Sequence, residues 1–322
     1  MKQDLNKLCT MYLEHCYYEK GLSENSLRSY RYDLRGLVKY VETQFCTDAA
    51  NMDIERLDRD FWHDYMMELS ASHKVKTVKR KLACFTGFFT FLYNSEMLRE
   101  NPFEKLKLKL KTTRTVPETL SLKEIKKILD AAYQKVQEQP AGTTAEIAEF
   151  LHYRDIAVFE LLFATGLRVQ ELCDMNVSAY DTAKQTIRVL GKGSKERQLY
   201  LGNEDVIQAL KEYMQKRKEN GFQSDSIFLN RWGKPLSCQA VRELVNKYCR
   251  KAGIKRKITP HAFRHTFASL LLEEGVEIRY IQEFLGHSSI STTQIYLHTS
   301  EKRKREILTK MHPRKKLTKT IK

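Results

Sequence analysis

The sequence predicts a mainly α-helical protein with a small antiparallel β-sheet, built as two domains. The first hundred residues repeat apolar side chains every three or four positions, which is the spacing of amphipathic helices. A basic segment with no apolar helical face follows, from Lys105 to Leu120. Beyond it, two short strands flank a glycine-containing loop, which indicates a hairpin within an otherwise helical region. We predict an N-terminal helical domain over 1–107, a linker over 108–118 and a second domain over 119–322.

Four helices are predicted in the N-terminal domain. Gly21 and Ser23 separate the first two, because glycine stops a helix and serine is a favoured N-cap. The fourth helix carries an aromatic stripe that includes Phe85 and Phe89. We interpret this stripe as core, rather than as a surface on which bases stack. The predicted ranges are Asp4–Lys20, Ser23–Val41, Asp58–Ser72 and Val75–Met97.

The second domain opens with a capping box, in which Ser121 precedes Glu124 by three positions. Residues 134–148 are polar and contain Pro140, which predicts a loop. The predicted strands are TIRVL and ERQLYL, joined by GKGSK. The predicted helices are one that follows Ser121, a mostly buried one over Tyr153–Asp174 with an interruption at Thr165–Gly166, and then Glu204–Glu219, Ser237–Ala252, Pro260–Glu274 and Ile278–Leu285.

Composition limits the partner and the compartment. The chain has 322 residues and a formal net charge of +16, with a pI of about 9.4. Such an excess predicts a polyanionic partner, with nucleic acid first and an anionic membrane surface as the competitor. No apolar run approaches the roughly 20 residues of a membrane span, and no signal-peptide pattern opens the chain. The seven cysteines include no CxxC pair, so we expect a reducing, cytoplasmic compartment.

The segment HAFRH combines the two side chains that suit one phosphate. His261 and Arg264 are three residues apart, so a helix places them on one face. The guanidinium group can bind two phosphate oxygens and the imidazole can exchange a proton. An ordinary surface His and Arg is an equally good interpretation of this motif alone. His265 lies four residues after His261, but Ala262 stands where the zinc-protease signature needs Glu.

Two more cations stand out. Arg168 follows Thr165-Gly166-Leu167 in an apolar helix, where an unpaired charge costs several kcal/mol. It therefore either pairs with a carboxylate such as Glu171 or points into a functional cleft. Lys192 sits between two glycines at the hairpin tip, where it is either a solvated turn residue or a mobile ammonium. The tip is not a P-loop, because GxxxxGK[ST] is absent.

The run LGHSSISTTQIYLH contributes the last two candidates. His287 follows Gly286 directly after a predicted helix, and as a single residue it reads equally well as a capping histidine. Tyr296 lies nine residues further on. A phenol has a pKa near 10, so it needs a base or strong anion stabilisation before it can attack phosphorus. Together, the cations and histidines of the series are the groups that move a phosphodiester onto a phenol without metal or ATP.

These segments resemble the tyrosine recombinases of the integrase/Xer family. ATGLRVQEL is similar to the first box of the family and GKGSKER to its β-hairpin lysine motif. HAFRHTFASLLLEEG with IQEFLGHSSISTTQIYLH is similar to the second box. TVKRKLACFTGFFTFLYNSEMLRENP resembles the end of the helical, SAM-like core-binding domain. The resemblance covers nearly the whole chain and implies a C-shaped clamp, in which a core-binding and a catalytic domain grip DNA.

The resemblance also implies the role of each site residue. Tyr296 is expected to be the nucleophile, which forms a 3′-phosphotyrosyl link and frees a 5′-hydroxyl, while Arg168 and Arg264 clamp the phosphate. No metal or nucleotide cofactor is expected. The other implied roles are Glu171 supporting Arg168, Lys192 protonating the leaving 5′-oxygen, His261 as general acid and base, and His287 hydrogen-bonding the phosphate.

The implied partners are double-stranded DNA at specific sites and three further copies of the chain, in a tetramer that exchanges C-terminal helices. The implied function is integration and excision of a mobile element, or resolution of chromosome or plasmid multimers. Relaxation of DNA by a type IB topoisomerase-like reaction and a non-catalytic DNA-binding role are the alternatives. The candidate DNA contacts are Lys74, Lys76, Lys79, Arg80, Lys81, Lys109, Lys111 and Arg114.

Overall fold

The computed structural model describes residues 2–104, 106, 118–134, 142–191 and 196–286. The chain divides into two compact units, residues 1–115 and 116–322, and this division falls inside the segment predicted as the linker. Each unit has its own hydrophobic core. No helix in the described part of the chain is both long enough and apolar enough to cross a membrane.

Four α-helices form most of the N-terminal unit, as the apolar spacing predicts. Three of them begin at a side-chain cap, because Asp4, Ser23 and Asp58 each accept hydrogen bonds from backbone amides of the first turn. The second helix continues past its predicted end at Val41 to Phe45. The helices are α1 (Leu5–Tyr18), α2 (Glu24–Phe45), α3 (Arg59–Ser72) and α4 (Val75–Asn94).

A short ladder in this unit has no signal in the sequence. Strands β1 (Lys2–Gln3) and β2 (Met52–Asp53) pair antiparallel, with Gln3 opposite Met52. Strands of two residues carry no readable alternation of apolar and polar positions, so the pattern could not predict them.

The aromatic stripe of α4 is core, as predicted. Trp62 of α3 is fully buried, and its ring lies 5.3 Å from that of Phe85 and 5.1 Å from that of Phe89, centroid to centroid. Phe103 covers the other side at 4.6 Å. Offset and edge-on contacts of this kind add to the burial energy of each ring. The N-terminal unit is thus organised around aromatic packing between α3 and α4.

An ion-pair cluster lies beside this core. Asp33 of α2 is completely buried and its carboxylate contacts Lys81 Nζ at 3.2 Å and the guanidinium group of Arg80. Lys81 is itself only 4% exposed. Lys81 is therefore buried and does not face DNA, contrary to the prediction. The run of lysines could not reveal that a carboxylate of α2 pairs with one of them. Arg80 is half-buried against the same carboxylate.

We expect Asp33→Ala to destabilise the N-terminal unit by about 3–5 kcal/mol, because it leaves a buried ammonium unpaired. Unfolding can be followed by fluorescence in a Trp232→Phe background, where Trp62 is the remaining tryptophan. Replacing both Asp33 and Lys81 by Leu is the control. It removes the buried carboxylate and the buried ammonium together and leaves only the part-exposed Arg80 without its partner, so most of the stability should return. An Asp33→Ala protein that unfolds at the wild-type denaturant concentration would contradict this account.

The second unit is also mainly helical, and its predicted capping box is present. The Ser121 hydroxyl accepts from the Glu124 amide, and the Glu124 carboxylate accepts from the Ser121 amide. The helices are α5 (Leu122–Tyr133), α6 (Ala145–Thr165), α7 (Val169–Cys173), α8 (Glu204–Glu219), α9 (Cys238–Lys251), α10 (Pro260–Glu273) and α11 (Ile278–Leu285).

Helix α6 is the centre of this unit and differs from its prediction at both ends. It begins at Ala145, inside the predicted loop, because the Thr144 hydroxyl caps it. It ends at Thr165, since Gly166 adopts a left-handed conformation with φ of 59°. The predicted interruption is therefore a complete break, after which α7 starts at Val169.

A three-stranded antiparallel sheet completes the unit. The predicted hairpin is formed by β4 (Thr186–Leu190) and β5 (Glu196–Tyr200), with Val189 opposite Arg197. A two-residue strand, β3 (Tyr180–Asp181), adds to the free edge of β4. The mainly helical fold with a small antiparallel sheet is thus confirmed.

Candidate active site

The corner between α6 and α7 is tightly packed around Gly166. A Cβ atom at this position would lie 2.6 Å from Phe267 Cδ1 and 2.9 Å from Leu285 Cδ2. Glycine is therefore required at position 166 for two reasons: the backbone is left-handed, and there is no space for a side chain. The corner brings the C-terminus of α6 against α10 and the end of α11, and the next turn presents Arg168.

Arg264 of α10 points into this corner. It is 4% exposed, and its Nη1 donates to the Gly166 carbonyl oxygen at 2.8 Å. Its Nη2 donates to the carbonyl oxygen of Leu285, the last residue of α11. Pro260 begins α10 at the first turn, as the sequence predicts. Arg264 therefore joins the C-terminal ends of α6 and α11 through one planar group.

Arg168 reaches the same place from the other side. Its Nη1 donates to the Leu285 carbonyl at 3.3 Å and its Nη2 to the Gly286 carbonyl at 3.2 Å. The side chain keeps 32% of its surface exposed, so part of the guanidinium group faces solvent. The two arginines predicted as a phosphate clamp thus share the carbonyl oxygen of Leu285. Arg168 also pairs with Glu171, which is the ion pair that the sequence left as one of two interpretations.

Glu171 is the carboxylate at the centre of the cluster. Its Oε1 accepts from Arg168 Nη1 at 2.7 Å, and its Oε2 accepts from the Arg168 backbone amide at 2.8 Å. Burial by itself would raise the pKa of this carboxyl group. The hydrogen bonds from Arg197 and from Arg168 outweigh burial, so the pKa lies below its ordinary value. Glu171 is therefore ionised at neutral pH, despite its 6% exposed side chain.

Arg197 of β5 is part of this cluster, although it is not among the residues predicted from the sequence. Its Nη1 and Nη2 donate to the two oxygens of Glu171 at 2.9 and 2.8 Å, and its Nε donates to the Phe284 carbonyl at 3.0 Å. A readable signal existed. In the strand ERQLY, Arg197 shares a face with Leu199, which is buried, so alternation placed an arginine toward the interior.

His261 lies one turn before Arg264 on α10 and remains exposed at the surface of the site. Partial desolvation lowers the pKa of its imidazole below the ordinary 6.5, and the positive charges of Arg264 and Arg168 lower it further. Arg242 of α9 acts in the same direction. The lowered pKa favours the neutral imidazole of His261 at pH 7. The pKa of His265 is lowered as well, by burial first and then by His261.

These two histidines predict a pH dependence of stability. Because their pKa values are lower in the folded protein, the unfolded chain binds protons first as the pH falls below about 6.5. We expect the denaturation midpoint to drop between pH 7 and pH 5, and to drop less in His261→Gln/His265→Gln. The control is His63→Gln on the N-terminal unit. Equal slopes in the double variant and the wild type would contradict the lowered pKa values.

The remaining catalytic candidates Lys192, His287 and Tyr296 lie outside the described residues, as do Lys109, Lys111 and Arg114 of the predicted DNA contacts. In the N-terminal unit, Lys74, Lys76 and Lys79 are exposed along the start of α4. Among the residues that the structure describes, no group of three or more metal-ligating side chains comes together.

Two family models match the chain and together span most of it. The model described as "Phage integrase family" matches residues 118–303. The model described as "Phage integrase, N-terminal SAM-like domain" matches residues 10–96. These matches agree with the division of the chain into two units.

Curated relatives and solved structures agree with the family models. A tyrosine recombinase of Agathobacter rectalis is 39% identical over 304 residues, covering 94% of this chain and 95% of the relative. Tyrosine recombinase XerC of Leptospira interrogans is 33% identical over 313 residues, covering 97% and 94%. The post-cleavage complex of XerH with palindromic difH has the same fold, with a TM-score of 0.71 at 19% identity over 97% of this chain and 98% of that one. The chain belongs to the phage integrase family, as an Xer-like tyrosine recombinase of the enzyme class that transfers DNA strands.

Proposed function

We propose that this protein is a site-specific recombinase that cuts and rejoins DNA through a covalent tyrosine intermediate. Tyr296 attacks the scissile phosphorus, a 3′-phosphotyrosyl bond forms, and the bond to the 5′-oxygen breaks to release a 5′-hydroxyl. In the reverse step, a 5′-hydroxyl attacks the phosphotyrosine. The observation that carries this proposal is the convergence of Arg168 and Arg264 on the Leu285 carbonyl, two residues before His287.

The charge of the cluster supports binding of a phosphate. Arg168 and Arg197 share one ionised carboxylate, and Arg264 meets Arg168 at the Leu285 carbonyl, so the described part of the site carries a net positive charge. Arg168 is the arginine with the most exposed surface here, which suits it to donate two hydrogen bonds to non-bridging oxygens. Neutral His261 accepts a proton at the edge of the same site. By analogy, each clamp arginine contributes about 3–4 kcal/mol to stabilising the transition state.

The remaining groups complete the proposed chemistry. Lys192 protonates the leaving 5′-oxygen and His287 hydrogen-bonds the phosphate. Because the covalent link conserves the phosphodiester energy, strand exchange needs no nucleotide. The reaction serves integration and excision of a mobile element or resolution of DNA multimers, and sequencing the adducts formed on host DNA distinguishes these two roles.

The test uses a nicked half-site that traps the covalent complex, because the short fragment 3′ of the cut diffuses away after cleavage. We expect a protein–DNA adduct that survives denaturation with the wild type and none with Tyr296→Phe. The matched control is Tyr280→Phe, which removes an exposed phenol of α11 and should leave the adduct intact. An adduct that persists in Tyr296→Phe rejects the nucleophile. Plasmid relaxation at any sequence without recombination favours the topoisomerase-like alternative.

Double-stranded DNA is the proposed partner of both units. Exposed Lys74, Lys76 and Lys79 place positive charge at the start of α4, and the sequence 105–114 adds further lysines and an arginine. Binding by such cations releases counterions, so the affinity should fall steeply with salt. Lys81 and Arg80 are left out of this surface, because both pair with Asp33.

A second copy of the chain is the proposed occupant of an apolar groove in the catalytic unit. The groove has a volume of about 600 Å³ between α6, α10 and α11, and its lining includes Phe163, Phe267 and Phe284. Asp205 and Glu274 lie among the same lining residues, where no described lysine or arginine is present. Residues 299–312 are basic and carry Ile307, Leu308 and Met311 at helical spacing, so they match the groove in charge and in apolarity.

The proposed binding of residues 299–312 to the groove of a second copy is tested with Ile307→Asp/Leu308→Asp. The control is Leu317→Asp, because Leu317 lies beyond Pro313. The double variant should bind a single site normally but fail to form tetramers on paired sites in sedimentation velocity. Tetramers of unchanged stability in the double variant would reject this surface.

A further inference from the structure

Arg197 connects three parts of the catalytic unit through one side chain. It occupies both oxygens of Glu171, and through Nε it also holds the carbonyl of Phe284 near the end of α11. One side chain therefore links β5, α7 and α11. Its side chain is only 12% exposed, so these hydrogen bonds compete little with water.

The position next to His287 depends on the same side chain. Gly286 has a φ of 61°, and a Cβ atom there would lie 3.0 Å from Arg197 Nη1 and 3.2 Å from its Cδ. The backbone that accepts the hydrogen bond from Arg168 thus packs directly on Arg197. Any displacement of Arg197 changes the surroundings of the Gly286 carbonyl.

The charges explain why a second arginine is needed. With Arg197 in place, Glu171 divides its charge between two guanidinium groups, and Arg168 retains Nη2 for the Gly286 carbonyl. Without Arg197, Arg168 would be the sole remaining cationic partner of Glu171 among the described contacts. A carboxylate so placed would draw Arg168 into a bidentate pair and reduce the positive field available to a phosphate.

We infer that Arg197 is a positioning residue for DNA cleavage, which shares the Glu171 carboxylate so that Arg168 stays aimed at the scissile phosphate. This inference rests on the proposed function. Lysine cannot replace Arg197, because its single ammonium cannot donate two parallel hydrogen bonds to Glu171 while also reaching Phe284. Arg197→Lys should slow adduct formation by about 10²-fold, as expected for a clamp displaced by about 1 Å.

The test compares three nicked half-sites, which carry a normal phosphate, a methylphosphonate or a 5′-bridging phosphorothiolate at the cut. The methylphosphonate has one negative charge less, so it depends less on arginine. The phosphorothiolate leaves as a thiolate, so it needs no proton. We expect the deficit of Arg197→Lys to shrink on the methylphosphonate, in step with Arg168→Ala, and to persist on the phosphorothiolate. Arg188→Lys, an exposed arginine on the neighbouring strand, is the matched control.

An equal deficit on all three substrates overturns the inference, because a protein that is merely misfolded loses activity on each alike. Rescue by the phosphorothiolate alone also overturns it, since the role would then lie in protonating the leaving group. Hydrogen exchange at residues 278–286 is an independent readout, and it should accelerate in Arg197→Lys and not in Arg188→Lys. Lack of an adduct with the wild type on every substrate would reject the proposed function instead. Hydrogen exchange would then show by itself whether Arg197 holds residues 278–286 in place.

Discussion

Arg264→Ala is expected to slow covalent adduct formation by about 10²–10³-fold, the effect of removing one preorganised donor from a developing anion. It should also destabilise the catalytic unit. Arg264 is 4% exposed, and its loss removes the donor to the Gly166 carbonyl oxygen, whereas the Leu285 carbonyl oxygen still accepts from Arg168. A buried carbonyl left unsatisfied costs about 1–3 kcal/mol.

The rate is measured in single turnover on the nicked half-site with protein in excess, and the fold is checked by thermal unfolding. Arg264→Lys keeps the charge but loses one of the two directed bonds, so we expect intermediate stability and a rate close to that of the alanine variant. Arg250→Ala, an exposed arginine in the last turn of α9, is the control for net charge. A wild-type rate in Arg264→Ala would show that Arg264 does not bind the scissile phosphate in the transition state.

Gly166→Ala is expected to combine two penalties. A left-handed conformation costs a non-glycine residue about 1–2 kcal/mol. The added methyl group also meets Phe267 and Leu285 at distances below 3.0 Å, and overpacking of this kind typically costs about 1–3 kcal/mol. We therefore expect a loss of about 2–5 kcal/mol in the free energy of unfolding, with a large fall in cleavage because Gly166 accepts a hydrogen bond from Arg264.

Gly253→Ala isolates the steric part of this effect. Gly253 has a φ of 73° in the same unit, but a Cβ atom there meets nothing within 4 Å. Both variants carry the backbone penalty, so the difference between their unfolding free energies measures the collision at Gly166. Hydrogen exchange in α10 and α11 should rise in Gly166→Ala and stay near the wild type in Gly253→Ala. Equal behaviour of the two variants would mean that the corner adapts to the methyl group.

The helices and the hairpin could be predicted because they depend on local patterns. The apolar stripe of α4, the capping box at Ser121 and the stop at Gly166 are each encoded within a few residues. The two-residue strands could not be predicted, since they are held by partners distant in sequence. The start of α6 at Ala145 was missed, because Pro140 and its polar neighbours concealed the cap at Thr144.

The grouping of three candidate site residues could be predicted from the sequence, whereas the hydrogen bonds that connect them could not. Arg168, Glu171 and Arg264 come together as expected from the sequence. Arg168 and Arg264 share the Leu285 carbonyl oxygen because of the way α6, α10 and α11 pack. A local sequence pattern does not encode this packing. Lys81 was predicted at the surface because it lies in a basic run. It is buried instead, because Lys81 of α4 pairs with Asp33 of α2.

We propose that Tyr296 carries the DNA strand, and mapping the point of attachment on the protein distinguishes it from every other residue. The trapped wild-type adduct is digested with nuclease and trypsin, and the peptide of residues 280–302 is fragmented in a mass spectrometer. This peptide contains both Tyr280 and Tyr296, so it holds its own control. We predict that the residual nucleotide mass lies on Tyr296. A nucleotide on Tyr280, or on a residue of any other peptide, would contradict the account.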